Sequence, residues 1–130
     1  MSTHQDLALT AAWDDWSAFE VEEERTASCA VITVHGELDI ATVPTFRDRL
    51  KAAVDANLSS IVIDLEPVTF MDSVALAAIL HTRTLLGGDR RMAVVVAPES
   101  YSRLVFEIAG LPDCLDLFET RAEALTAVSA

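Results

Sequence analysis

The stretch that decides the fold begins as a strand and ends as a helix. It reads Ile61-Val62-Ile63-Asp64-Leu65-Glu66-Pro67-Val68-Thr69-Phe70-Met71-Asp72-Ser73-Val74-Ala75-Leu76-Ala77-Ala78-Ile79-Leu80. The first five residues are short and apolar, which is typical of a central strand covered on both faces. A loop over residues 66–72 is expected next. Ser73 then opens an alanine-rich helix that continues through Leu85 and stops at Gly87-Gly88.

The same alternation of strand and helix extends outward from this stretch. The sequence predicts strands over residues 17–27, 30–38, 91–97 and 115–118, and helices that begin near Pro44, Ser100 and Thr120. Strands that alternate with helices indicate parallel crossovers, except for the opening pair, which can be antiparallel. The predicted fold class is therefore α/β, with a mixed, mainly parallel central sheet of about five strands and about four helices.

Apolar spacing predicts which face of each helix meets the core. In the helix after Pro44 the expected apolar stripe is Phe46, Leu50, Ala53 and Val54, and in the helix after Ser100 it is Tyr101, Leu104, Val105 and Ile108. We divide the chain into an N-terminal extension, residues 1–15, and one domain, residues 16–130. Trp13 and Trp16 are three residues apart, so a helical turn could place both on one face. We favour a role for them in capping the edge of the core over a docking role.

Composition restricts the partners and the compartment. The chain has 130 residues, 52% of them hydrophobic, and a formal net charge of -12 from 21 acidic and 9 basic side chains. Such a surface repels phosphate backbones and anionic lipids, so we expect no nucleic-acid and no membrane partner. Residues 1–10 lack the features of a secretory signal, and no apolar stretch reaches the length of a membrane span. Cys29 and Cys114 are then expected to be reduced thiols, and the chain cytoplasmic.

Several kinds of site are absent from the sequence. Neither dinucleotide-binding nor Walker-type glycine patterns occur, so we expect no cofactor. The histidines, His4, His35 and His81, are scattered and form no metal-ligand motif, so no metal site is expected. Ser73 lies in Met71-Asp72-Ser73-Val74-Ala75 and not in a serine-hydrolase elbow. We therefore predict that the chain is not an enzyme.

Two segments resemble the STAS family, specifically the bacterial anti-sigma factor antagonists. One is Ile61-Val62-Ile63-Asp64-Leu65 followed by Phe70-Met71-Asp72-Ser73, and the other is Gly36-Glu37-Leu38-Asp39. The order of elements is also similar from about Phe19 to Val128. The resemblance implies a STAS fold for residues 16–130.

The resemblance also implies a partner switch. In such antagonists the serine at this position is phosphorylated by an anti-sigma factor that is itself a serine kinase, and a PP2C-type phosphatase resets the cycle. The unphosphorylated form binds the kinase and so releases a sigma factor. Carried onto this sequence, the phosphorylated residue is Ser73. The partner-binding residues are Asp39, Asp72, Ser73, Val74, Ala75 and Ala78.

The physical properties of the helix start agree with a switch and leave an alternative open. A phosphate on an N-cap serine would be held partly by free helix N–H groups and the helix dipole. We expect Leu76, Ile79 and Leu80 to face the sheet, with Val74, Ala75 and Ala78 turned outward as a docking face. The alternative is that this helix is simply well buried in its own domain.

The continuation of the motif departs from the family pattern. Antagonists usually follow the phosphorylated serine with Ser or Thr, then Gly, Leu and Gly, whereas this chain has Val74-Ala75-Leu76-Ala77. The added methyl groups lie where a partner backbone would approach. A STAS scaffold or transporter-associated subunit that is not phosphorylated is therefore the alternative function. The two tryptophans and the alanine-rich helix leave a homodimer open.

Overall fold

The computed structural model describes residues 19–111 and 115–129 of the chain. The predicted N-terminal extension, residues 1–15, lies outside the described residues, as do Trp13 and Trp16. Cys29 is buried, and Cys114 lies outside the described residues, so the redox state expected of this pair stays a prediction.

Six strands in the described part of the chain form a mixed sheet. They are β1 (Glu20–Arg25), β2 (Cys29–Leu38), β3 (Ser60–Asp64), β4 (Val68–Met71), β5 (Arg91–Val95) and β6 (Leu117–Phe118). The order is β1-β2-β3-β5-β6, and β4 pairs with β2. Only β1 and β2 are antiparallel, and every other pair is parallel. The predicted mixed, mainly parallel sheet with an antiparallel opening pair is confirmed.

The prediction of a simple loop over residues 66–72 is wrong, because β4 lies within it. Val68 aligns with Gly36, and after a register shift Phe70 and Met71 align with Glu37 and Leu38. The sheet therefore has six strands where about five were expected. β4 brings the chain to the carboxyl end of β2 just before Asp72.

Four helices complete the described fold, as predicted. They are α1 (Val43–Asp55), α2 (Ser73–Leu86), α3 (Tyr101–Ile108) and α4 (Arg121–Ser129). The glycine stop after α2 is confirmed, since Gly87 has φ 68°. Ser100 caps α3 as predicted, its Oγ accepting from the N–H of Arg103 at 3.0 Å.

The helices cover both faces of the sheet unequally. The larger core packs one face of β2, β3 and β5, represented by Ile32, Ile63 and Val94, against α1, α2 and α3. The opposite face contributes a smaller cluster that includes Val31, Val62 and Val95 and packs against Ala124 of α4. Because side chains alternate along a strand, each central strand supplies both cores, which explains its continuous apolar sequence.

The predicted apolar stripe is right for α1 and wrong for α3. The α1 residues Phe46, Leu50, Ala53 and Val54 are all buried. In α3 the buried residues are Ser102 and Phe106, whereas Tyr101, Leu104 and Ile108 are exposed and Val105 is half-buried. The aromatic ring of Phe106 fills the core, and this sets the rotation of the short helix.

Arg121, the first residue of α4, ties that helix to three strands. Its Nε donates to Asp64 Oδ2 at 3.0 Å and its Nη1 to Glu24 Oε1 at 3.0 Å. Its Nη2 donates to Thr33 Oγ1 at 2.6 Å. Burial acts to lower the pKa of Arg121, but the hydrogen bonds and charges of Asp64 and Glu24 outweigh it and raise that pKa. The guanidinium therefore stays charged beside the buried Asp64 carboxylate.

None of the described helices combines the length and the apolar character needed to cross a membrane.

Candidate functional site

The predicted site residues Asp39, Asp72 and Ser73 come together at the carboxyl end of β2. The backbone N–H of Asp72 donates to the carbonyl of Leu38 at 2.8 Å, so the residue that precedes α2 is bonded to the end of β2. Asp39 follows Leu38 directly. The loops before α1 and before α2 therefore share one edge of the sheet, as expected where parallel strands end.

Asp72, and not Ser73, is the N-cap of α2. The Asp72 backbone is extended (φ -91°, ψ 159°), and its Oδ1 accepts from the N–H of Val74 at 3.3 Å. Ser73 is the first residue of the helix itself. The expectation that Ser73 acts as the cap is wrong by one position, because a carboxylate accepts helix N–H groups at least as well as a hydroxyl does.

Ser73 is exposed at the positive end of the helix dipole. Its hydroxyl donates to Asp72 Oδ1 at 3.3 Å, a contact on the surface of the protein. Since the capping bond is made by Asp72, the Ser73 side chain is not needed to satisfy the helix start. Ser73 therefore presents a hydroxyl to solvent that can be modified or covered without removing the cap.

Asp39 organises the neighbouring turn. Its Oδ1 accepts from the N–H groups of Ala41 and Thr42, each at 3.0 Å. Thr42 Oγ1 donates to the carbonyl of Glu37 at 2.7 Å. The half-buried Asp39 carboxylate thus holds the entry to α1 in a fixed shape. One of its oxygens is engaged inside the turn.

The predicted docking face of α2 is wrong in two of its residues. Ala75 is 0% exposed and Ala78 is 4% exposed, so both side chains belong to the core. Val74 is half-buried, and over residues 73–81 the exposed residues are Ser73, Ala77 and His81, at helical spacing. The alternative of a helix buried in its own domain holds for one face only. We call Ser73, Ala77 and His81 the outer stripe of α2.

The sequence contained a signal for the outer stripe. Ser73 and His81 are the polar residues at positions i and i+8 of an otherwise apolar run. A helix places residues four apart on one face, so a line between these two polar residues passes through Ala77. Residue size alone instead favours Ala75 and Ala78 as outward-facing residues, and both are buried.

An exposed aromatic pair lies next to this edge. Phe70 comes three residues before Ser73, and its ring stacks on that of Tyr101 with centroids 5.4 Å apart. Phe70 is 38% exposed and Tyr101 is 49% exposed. The pair joins the end of β4 to the start of α3 and adds apolar surface beside the serine.

The electrostatics of the edge are acidic. Neither Asp39 nor Asp72 forms an ion pair with another described residue. Within the described ranges no group of His, Cys, Asp and Glu side chains could hold a metal ion. A negative group on Ser73 would therefore lie beside the uncompensated carboxylate of Asp72.

Fold and site together define a class: an α/β domain with an exposed serine, backed by a capping carboxylate, at the start of a partly exposed helix. The STAS domain model matches residues 20–124, which is most of the chain. The chain belongs to the STAS domain family.

Individual relatives agree with this assignment. The anti-sigma-F factor antagonist RsfB of Mycobacterium tuberculosis is 33% identical over 99 residues, which cover 76% of this chain and 80% of RsfB. The crystal structure of an anti-sigma factor antagonist from Mycobacterium paratuberculosis matches with a TM-score of 0.82 and 30% identity, over 88% of this chain and 97% of that one. The phosphorylated form of the Bacillus cell fate determinant SpoIIAA matches with a TM-score of 0.61 and 28% identity, over 85% and 99%.

Proposed function

We propose that this chain is an anti-sigma factor antagonist that binds a serine-kinase anti-sigma factor and is switched off by phosphorylation of Ser73. The observation that carries the proposal is the exposure of Ser73 at the start of α2, with the cap supplied by Asp72. Relatives that bear the name of antagonists, and a similar fold known in a phosphorylated form, support it. In this role the chain is ligand and substrate of the kinase, and a PP2C-type phosphatase restores it.

The proposed contact surface consists of the outer stripe of α2, half-buried Val74, the Asp39 turn and the exposed ring of Phe70. The Asp39 turn and the start of α2 lie at one edge of the sheet, and the outer stripe continues from there along α2. Ala75 and Ala78 are not part of it, because their side chains are buried. The surface offers a partner a helix face next to a rigid turn.

Charge and solvent explain how one phosphate would break this contact without unfolding the domain. A phosphate adds about -1.5 to -2 charges and would lie close to Asp72. Two unit charges about 4 Å apart repel by roughly 1 kcal/mol in water and by roughly 4 kcal/mol at an effective dielectric of about 20. In the free protein, water and the helix dipole offset much of that repulsion. Under a bound partner the water is gone, so the complex loses more than the fold does.

Binding of three variants to the kinase-type anti-sigma factors of the same genome tests the proposal. Isothermal titration should give Ser73→Ala an affinity within about 3-fold of wild type. Ser73→Asp should bind at least about 100-fold more weakly, which corresponds to about 2.7 kcal/mol. Ser59→Asp is the matched control, since Ser59 is exposed and precedes β3 at the opposite edge of the sheet, and it should bind like wild type.

Equal binding of Ser73→Asp and wild type would contradict the switch. The chain would then act as a STAS scaffold or transporter-associated subunit whose contacts are indifferent to Ser73.

A further inference from the structure

Three of the chain's nine basic residues surround one cleft far from Ser73. Arg83, Arg90 and Arg91 line a cleft of about 460 Å³ between the end of α2, the start of β5 and α4. In a chain of net charge -12 such a concentration of positive charge is unexpected. The cleft lies beside the amino end of β5. Arg83, its nearest lining residue in α2, lies about 15 Å along the helix from Ser73.

The three guanidinium groups are held by backbone carbonyls. Arg83 Nη2 donates to the carbonyl of Arg90 at 2.8 Å and also contacts that of Gly87. Arg90 Nη1 donates to the carbonyl of Val54 at 2.9 Å, and Arg91 Nη1 to that of Ala127 at 3.0 Å. Each guanidinium has five N–H donors, and most of them remain unused in these bonds. The positive groups are therefore positioned and still able to bind a further acceptor.

No described carboxylate forms an ion pair with these three arginines. The described arginines that do form ion pairs are Arg25, Arg49, Arg103 and Arg121, and none of them lines the cleft. Asp116 is the one described carboxylate that lines the cleft. The guanidinium of Arg90 is bonded to Val54, which does not line the cleft, so Arg83 and Arg91 are the arginines whose charge a bound anion would offset.

The rest of the lining favours an organic anion. The half-buried side chains of Phe118 and Val128 supply apolar surface on the side of α4, and Gly87 and Gly88 have no heavy atom within 4 Å of where a Cβ would lie, which leaves open space beside the arginines. A volume of about 460 Å³ suits a small molecule and not a macromolecular segment. Guanidinium groups match the geometry of phosphate oxygens by paired N–H donation.

We propose that this arginine cleft is a binding site for a small phosphate-bearing organic molecule. The phosphate contacts the guanidinium groups of Arg83 and Arg91, and the apolar part lies against Phe118 and Val128. The site does not depend on the function proposed for Ser73, because the two lie at opposite ends of α2.

Titration of the full chain with phenyl phosphate, at constant ionic strength set by sodium chloride, tests the site. In two-dimensional nitrogen–proton NMR spectra we expect saturable shifts of the amides of Gly87, Gly88 and Val128, with Asp72 and Ser73 unmoved. Arg91→Gln should weaken the affinity at least about 5-fold. Arg91 is exposed, and its hydrogen bond to Ala127 lies on the surface, so this variant should fold.

Arg103→Gln is the matched control, because it removes the same charge from α3 and should leave the affinity unchanged. Inorganic phosphate should bind more weakly than phenyl phosphate if the apolar wall contributes. The proposal is overturned by shifts that stay linear with concentration, or by equal affinity in wild type and Arg91→Gln. Ser73→Asp should bind phenyl phosphate like wild type, so failure here and failure of the phosphorylation switch can be told apart.

Discussion

At the scale of single residues, Asp72 and Ser73 differ in what they do at the start of α2. Asp72 caps α2 with its side chain and is bonded to the end of β2 through its backbone N–H. Ser73 is thereby left exposed with its hydroxyl available. The sequence pattern places the cap at Ser73, one residue late. Helix boundaries depend on backbone angles that sequence patterns define only to within a residue or two.

Replacement of Asp72 tests the division of tasks. Asp72→Ala should lower the free energy of unfolding by about 1 kcal/mol, because the helix N–H of Val74 loses its acceptor. Asp72→Asn should remain within a few tenths of a kcal/mol of wild type, since an amide oxygen caps about as well. Chemical denaturation with a helix signal measures both. If Asp72→Ala were as stable as Asp72→Asn, the side-chain cap would contribute nothing and the assignment of roles would be wrong.

At the scale of elements, α2 passes from its outer stripe to its core face between one residue and the next. Ala77 is exposed and its neighbour Ala78 is 4% exposed. A run of similar small residues does not reveal its own rotation, because alanine is accepted in either environment. β4 was missed for a related reason. Its four residues become a strand only by pairing with β2, some thirty positions earlier in the chain.

Substitutions at two neighbouring residues distinguish the buried face of α2 from the face that is proposed to bind the anti-sigma factor. Ala78→Arg should lower the free energy of unfolding by several kcal/mol or prevent folding, because a long charged side chain is forced into the core. Ala77→Arg should change stability by less than about 0.5 kcal/mol. Thermal unfolding measures this difference directly.

The substitution on the exposed face also tests the proposed interface. Ala77→Arg adds bulk one turn after Ser73 and should weaken binding of the anti-sigma factor at least about 10-fold while the fold persists. Full affinity in the folded Ala77→Arg variant would place the contact surface elsewhere than on the outer stripe.

At the scale of the whole molecule, the alternation of strands and helices allowed the architecture to be predicted, but not the contacts that hold α4 to the sheet. The parallel crossovers and the antiparallel opening pair follow from element order. The contacts of Arg121 do not, because Asp64 and Glu24 are 57 and 97 positions away. No local pattern encodes such pairing. The arginine cleft is likewise assembled from residues of α2, β5 and α4.

Arg121 should matter for global stability more than its position on the surface suggests. Arg121→Met leaves the Asp64 carboxylate, whose side chain is only 4% exposed, without its charge partner. Breaking such a pair typically costs about 3 kcal/mol or more. Arg103→Met is the control, because it removes an exposed pair within one helix and should cost less than about 0.5 kcal/mol. Equal stabilities of the two variants in urea denaturation would show that the Asp64 pair is not what holds α4 to the sheet.

The central claim is that Ser73 is the residue phosphorylated by a kinase-type anti-sigma factor, and intact mass spectrometry tests it most directly. The full chain is incubated with that kinase, ATP and Mg²⁺, and the modified position is located by fragmentation. We predict one phosphate per chain on Ser73 and none on Ser73→Ala. Absence of phosphate, or one phosphate on both proteins, would contradict the account.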